Sequence, residues 1–235
     1  MHRQKVRALI SLLPPHHCVI IINMSVEEVT QKTQGLSVSE NQEGQTVLSN
    51  SKDFNLKHPL NSKWTLWYTK PPVGENESWS DLLRPVTSFT TVEEFWAIQQ
   101  SIPRPRELPL KSDYHLFRDD IRPEWEDEAN SKGGKWSFQF KSARAPHIDD
   151  LWLRALLAVI GESIDEDDSE INGVVVNVRR SGYKIGLWTK SVDQEPLSKV
   201  GAKFKAVLQL EESDKLEFFA HSSANDKNAR PTLVL

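Results

Sequence analysis

From residue 64 onward the chain alternates short runs of aromatic and β-branched side chains with longer stretches whose apolar positions recur every three or four residues. The short runs predict strands, because such side chains pack well on a pleated surface. They fall at 64–69 (Trp64-Thr65-Leu66-Trp67-Tyr68-Thr69), 113–117, 134–140, 173–179, 183–189 and 215–219. Pro71-Pro72-Val73-Gly74 ends the first. Arg180-Ser181-Gly182 joins the fourth and fifth, and so short a glycine-containing connection makes them antiparallel. The longer stretches predict helices. Thr91 is the expected N-cap of a helix over 92–100, with Glu94 in the capping-box position and Ile102-Pro103 at its end. Ile148, Leu151, Trp152, Ala155, Leu156 and Val159 share one face of a helix over 148–160 that Gly161 can cap. A third, over 197–210, aligns Val200, Phe204, Val207 and Leu208. Hairpin-joined strands interrupted by helices predict an α+β domain, an antiparallel sheet with its helices on one face.

Two helices carry more apolar surface than one core needs. Beside the main stripe of 148–160 lie Leu153, Leu157 and Ile160. In 92–100, Phe95 and Ile98, with Ile102 just beyond, suit the core, while Val92 and Trp96 form a separate pair four residues apart. Such excess fits either a thicker core or a groove for a partner helix.

The two ends of the picture are polar. Residues 24–56 are rich in Gln, Ser, Glu, Asn and Thr and cannot bury enough surface to order themselves. Residues 1–23 hold His2, Arg3, Lys5, Arg7, His16 and His17 and no acidic group. They are either a transit peptide or an extension upstream of a start at Met24. Pro14-Pro15 interrupts an amphipathic helix and favours the extension. At 26.9 kDa the chain supports one sizeable core, placed at 57–235. Its 33 acidic against 29 basic residues argue against gripping nucleic acid by bulk charge, and against a general single-strand RNA binder. The single cysteine, Cys18, excludes an intrachain disulfide framework. No apolar run has membrane-spanning length, so no membrane partner is expected.

Charge changes the reading of the eight tryptophans. Trp64, Trp67, Trp136 and Trp152 sit in apolar patterns and are expected in the core. Trp79 and Trp125 do not. Glu77, Ser78, Ser80 and Asp81 flank the first, and Trp125 lies in Pro123-Glu124-Trp125-Glu126-Asp127-Glu128. Burying that run would strand several carboxylates, so it should face water or a ligand. An indole face attracts cations and stacks on flat rings, and an adjacent carboxylate accepts hydrogen bonds from the same ligand. A cationic, planar, hydrogen-bond-donating molecule would satisfy both. Glu126, Asp127 and Glu128 in succession are a poor metal signature, no nucleophile–base spacing supports an enzyme, and no cofactor is expected. Asp165-Glu166-Asp167-Asp168 is expected to be a solvated loop.

His58-Pro59-Leu60, the Trp64/Trp67 strand, Glu77-Ser78-Trp79, Val92-Glu93-Glu94-Phe95-Trp96, Trp125-Glu126-Asp127-Glu128, Gly133-Gly134-Lys135-Trp136 and the 177–188 hairpin occur in the order seen in the eukaryotic translation initiation factor 4E family. The chain resembles that family from about residue 57 to the end, and Leu110-Lys111-Ser112-Asp113-Tyr114-His115 resembles its budding-yeast members. The resemblance implies a curved antiparallel sheet of about eight strands, three helices on the convex face, and a 7-methylguanosine mRNA cap in the concave face. By the same resemblance Trp79 and Trp125 stack on the base, Glu126 accepts its N1–H and exocyclic amine, and Trp188 lies beside the N7-methyl group. Arg179, Lys184 and Lys135 match phosphate-binding positions, Lys135 standing where other members often carry arginine. His58, Pro59, Leu60, Val92, Trp96, Leu153 and Leu157 match the surface that docks a 4G-type scaffold and 4E-binding repressors. Arg154 stands where many animal members are acidic, so that partner contact is not carried over. The implied function is cap binding with scaffold recruitment, in the cytoplasm and with the nucleus as a second location. The alternatives are a cap-binding repressor that does not engage the scaffold, or a metal-dependent cap hydrolase.

Overall fold

Strands β1 (Pro59–Thr69), β2 (Leu83–Thr91), β3 (Asp113–Arg118), β4 (Gly134–Phe140), β5 (Ile171–Arg179), β6 (Gly182–Thr189), β7 (Glu217–Ala220) and β8 (Leu233–Val234) form one curved sheet in the order β2-β1-β3-β5-β6-β4-β7-β8. Every neighbouring pair is antiparallel. The computed structural model describes residues 57–74, 77–141, 147–165, 170–224, 226 and 228–235. The expected extension over 1–23 and tail over 24–56 lie outside them. The chain divides into units Met1–His58 and Pro59–Leu235. Only Lys57 and His58 of the first are described, and all that follows concerns the second.

Helices α1 (Trp79–Leu82), α2 (Val92–Ser101), α3 (Glu128–Ser131), α4 (Ile148–Ile160) and α5 (Gln194–Val207) interrupt the strands. Phe95 of α2, Ile148, Trp152 and Leu156 of α4, and Leu197 and Phe204 of α5 share one buried cluster with Trp64, Leu66, Leu116, Trp136, Val174, Ile185 and Phe218 of the sheet. The three long helices therefore cover one face. Gly201 lets α5 approach closely, since a Cβ there would stand 2.6 Å from the Trp136 ring. The β5–β6 hairpin turns through Arg180-Ser181 and needs glycine at 182, where φ is +120° and a side chain would strike the Phe140 carbonyl.

Several expectations change. β2 and β8 were not anticipated: β2 carries Pro85 and a largely polar sequence, which only an edge strand tolerates. β1 begins at Pro59 rather than at residue 64. α5 starts at Gln194, behind Asp193, three residues before the expected 197. The α2 cap is built from Thr91, whose Oγ1 accepts from Glu94 N, but the Glu94 carboxylate reaches back to Thr90 N rather than to the cap's own amide. Ile160 is buried and leaves the outer stripe of α4 to Leu153 and Leu157. Gly161 caps α4 as expected, its N–H donating to Leu157 O at 2.9 Å, but the left-handed residue is the next one, Glu162 (φ 54°), whose carboxylate accepts from Asn61 Nδ2 at 2.7 Å. Asp165 is buried instead of solvated, because its Oδ2 accepts from Glu170 N at 2.7 Å; 166–168 fall outside the described residues.

Candidate functional site

Period-two alternation sends Trp67 of β1, His115 and Phe117 of β3, Val175 of β5 and Trp188 of β6 to the face opposite the helices. Trp67, Leu83, Phe117, Val175 and Trp188 form a second, smaller buried cluster there, packed by Ile121. Trp67, expected in the core, is buried as expected, in this cluster rather than the one beneath the helices. Beside it lie two indoles that the fold does not cover: Trp79 is 43% exposed and Trp125 41%. Trp188 is only 8% exposed, edge-on to Phe117 at 5.3 Å between ring centroids.

Trp79 opens α1, and charge fixes the approach to it. Lys70 Nζ pairs with the Glu77 carboxylate at 2.9 Å, and Val73 N and Gly74 N donate to the same group. The Lys70 bond, then those amides, hold the Glu77 pKa down to about 2. Ser78 caps α1, its Oγ accepting from Asp81 N. The Trp79 indole meets His115 edge-on at 6.1 Å. His115 lies 2.8 Å from Thr69 Oγ1 through Nε2.

The loop carrying Trp125 is stitched from beneath. Asp127 accepts from Arg122 N and Ala129 N, capping α3. Asn130, fully buried, donates through Nδ2 to the carbonyls of Arg122 (2.8 Å) and Glu124 (2.9 Å). Asn172 donates to the Asn130 amide oxygen and to Ala129 O. His221 Nδ1 donates to Asn130 O at 2.8 Å while its ring packs on Trp188 at 4.3 Å. One polar chain thus joins the Trp125 loop to the back of Trp188. Glu126 is exposed, and its carboxylate has no partner among the described residues.

Burial lowers the pKa values of His115 and His221 to about 4 each, so both imidazoles are neutral near pH 7. Unfolded, they protonate near 6.5. Between about pH 6.5 and 4 the unfolded chain therefore binds more protons, and stability must fall as pH falls through that window. Each ring should contribute on the order of 2–3 kcal/mol at neutral pH that is lost by about pH 4. Urea unfolding of His115→Gln across this range should show a flatter pH dependence than the parent; identical slopes would refute the assignment.

The cationic residues are not equivalent. Arg179 forks onto Asp113 at 2.6 and 3.0 Å, and Asp113 is buried. Lys135 and Lys184 form no ion pair among the described residues, and burial comes first among the causes that lower the pKa of each. Asp113 attracts Lys135 and Glu217 attracts Lys184 without pairing with them, so each half-buried ammonium keeps an electrostatic deficit that an anion would relieve. Among the described residues no group of three or more His, Cys, Asp or Glu could hold a metal, and no helix is long and apolar enough to cross a membrane.

On the helix side, Val92, Trp96, Leu153 and Leu157 are each half-buried, as are Leu60 and Arg154, while Pro59 is exposed. Trp96 packs edge-on to Phe95 at 5.2 Å, behind which the core begins. His58 directly precedes β1.

The expected residues from β1 onward thus divide between the two faces of the sheet: Trp188 and the cationic residues opposite the helices, with Trp79 beside His115 there, and Val92, Trp96, Leu153 and Leu157 on the helices. Glu124, expected with its run to face water or a ligand, is instead held by Arg122 and Ser80, and the parts played by Arg122, Asn130, Asn172, His115 and His221 were not anticipated. Lone histidines and asparagines (His115 in β3, His221 just after β7, Asn130 in α3, Asn172 in β5) carry no local signal, and their partners distant in sequence reveal them.

The family model described as "Eukaryotic initiation factor 4E" matches residues 59–233. Over 212 residues the chain is 86% identical to a eukaryotic translation initiation factor 4E of Eremothecium gossypii, covering 90% of this chain and 100% of that one. It is 65% identical over 214 residues to that of Saccharomyces cerevisiae, covering 90% and 100%. Among solved structures, the complex of C. elegans eIF4E-3 with the 4E-binding protein Mextli and cap analog superposes with a TM-score of 0.70 at 35% identity, covering 77% of this chain and 100% of that one. With its sheet, helices and sequence all in agreement, the chain belongs to the eukaryotic initiation factor 4E family, a family of translation factors and not of enzymes.

Proposed function

We propose that this protein binds the 7-methylguanosine cap of mRNA on its concave face and a 4G-type scaffold or 4E-binding repressor on its helical face. The observation that carries the first half is the pair of half-exposed indoles, Trp79 and Trp125, on linked loops beside the unpartnered Glu126 carboxylate. N7-methylation makes guanine cationic, so stacking between indoles gains a cation–π attraction that plain guanine lacks. Glu126 accepts from N1–H and the exocyclic amine, and a base without that donor pair would leave the carboxylate desolvated and unpaired. Trp188, held by Phe117 and His221, stands beside the methyl group. The experiment is calorimetric titration with methylated and unmethylated cap analogues. The methylated form should bind far more tightly, and equal affinities would reject the reading.

Lys184 and Lys135 take the triphosphate, with Arg179 in a supporting place because its fork is committed to Asp113. Lys184→Gln should weaken 7-methylguanosine triphosphate about tenfold while hardly changing the methylated nucleoside, and should reduce the salt dependence of binding. Arg179→Gln should also lower the melting temperature, since it leaves a buried carboxylate unpaired. Equal losses for nucleoside and triphosphate in Lys184→Gln would remove it from the phosphate site.

The exposed parts of Val92, Trp96, Leu153 and Leu157 support scaffold engagement over a repressor that ignores the scaffold, with Pro59 and Leu60 extending the patch and His58 beside them in sequence. The place of action we propose is the cytoplasm, with the nucleus as a second location.

A further inference from the structure

We propose that the hydrogen bond from Ser80 to Glu124 is a strut that sets the spacing of the two indole-bearing loops before any ligand arrives, making Ser80 and Glu124 positioning residues of the slot. The inference rests on the cap reading for its consequence, though not for its geometry. Ser80 Oγ donates to Glu124 Oε1 at 3.0 Å, across a sequence separation of 44 residues. Each partner is the immediate neighbour of an indole: Ser80 follows Trp79 and Glu124 precedes Trp125. The carboxylate is not free to turn, because Arg122 forks onto both of its oxygens, Nε to Oε2 at 2.8 Å and Nη2 to Oε1 at 3.0 Å. Arg122 in turn lies over the Trp67 ring at 5.6 Å, and Trp67 is buried in the sheet. A continuous path therefore runs from β1 through Arg122 and Glu124 to α1. α1 is a single turn of four residues, with only Leu82 buried, so its own packing is a weak anchor for Trp79. A ligand that stacks between two indoles gains most when their gap is fixed in advance, because ordering loops on binding weakens affinity.

The test uses the full chain with Ser80→Ala, Ser80→Thr, Glu124→Ala and the Ser80→Ala/Glu124→Ala double variant. Acrylamide quenching of the ligand-free proteins reports on Trp79 and Trp125, since Trp64, Trp67, Trp136, Trp152 and Trp188 are buried and Trp96 is common to all. Titration with 7-methylguanosine triphosphate reports the consequence. Ser80→Ala should increase quenching and weaken binding about three- to tenfold, the size of one hydrogen bond to a charged group at a half-exposed site. Ser80→Thr should restore both, and the double variant should be no weaker than Glu124→Ala alone. Unchanged quenching in Ser80→Ala, or failure of Ser80→Thr to recover it, overturns the strut. If the parent does not prefer methylated cap, the cap reading fails instead, and the quenching measurement still decides the strut.

Discussion

Trp125→Ala should weaken binding of methylated cap analogue by roughly a hundredfold, about 3 kcal/mol, while leaving the melting temperature within a degree or two of the parent. The two halves of that expectation come from different observations. An indole that is 41% exposed contributes little to the core, and surface substitutions of this kind usually change stability by less than about 0.5 kcal/mol. The backbone beneath it is fixed by other groups, the Asp127 cap and the Asn130 amide, which the substitution leaves intact. The loss on binding comprises one stacking face and its cation–π share, so unmethylated analogue should lose less than methylated. Trp125→Phe should lie between, nearer to tenfold, because a smaller ring keeps part of both terms. Fluorescence titration and differential scanning fluorimetry on the same samples give both readings. A variant that binds as tightly as the parent removes Trp125 from the site, whereas a large drop in melting temperature makes it a structural residue.

Wherever side chains repeat with a period, the architecture was legible in the sequence. Helix α4 is bounded by residues 148 and 160 in both, and the hairpin strands β5 and β6 lie within two residues of their expected limits. β2 escaped because an edge strand has one free side and can carry Pro85 with exposed Arg84, Ser88 and Thr90, which imitate a loop. Trp67 was expected in the core and is buried, but which of two clusters it joins was not legible, for a related reason. Alternation tells which side chains share a face with Trp67, but not that a second apolar cluster exists under the ligand side. At the site, residues marked by an odd pairing of indole and charge were visible. What positions them was not. Asn130 is a buried amide whose partners are backbone carbonyls of 122 and 124 and the side chain of Asn172, 42 positions away. The engagement of Arg179 by Asp113 was equally hidden, since it joins neighbouring strands that are 66 residues apart in sequence.

Trp96→Ala should separate the two faces. Trp96 lies on α2, on the opposite side of the sheet from His115 and Trp188, and touches the core through Phe95 alone among the aromatic contacts described for it. Phe95 itself is buried and stays in place, so the helix should remain docked. Truncating the exposed part of the indole removes an anchor of the kind that dominates helix-in-groove interfaces, about 2–4 kcal/mol, or a loss of some thirty- to a thousandfold. Nothing in the path from Trp67 through Arg122 and Glu124 to Ser80 passes through α2, so stacking should be unaffected. The variant should therefore remain on a cap-analogue resin while failing to retain a 4G-type scaffold fragment, and extracts that depend on it should translate capped messages poorly. Retention of the scaffold with loss of the resin would exchange the roles of the two faces. Simultaneous loss of both, with a lowered melting temperature, would return Trp96 to the core and leave Leu153 and Leu157 as the residues to test next, because they too are half-buried on a helix and have no ring packed on Phe95.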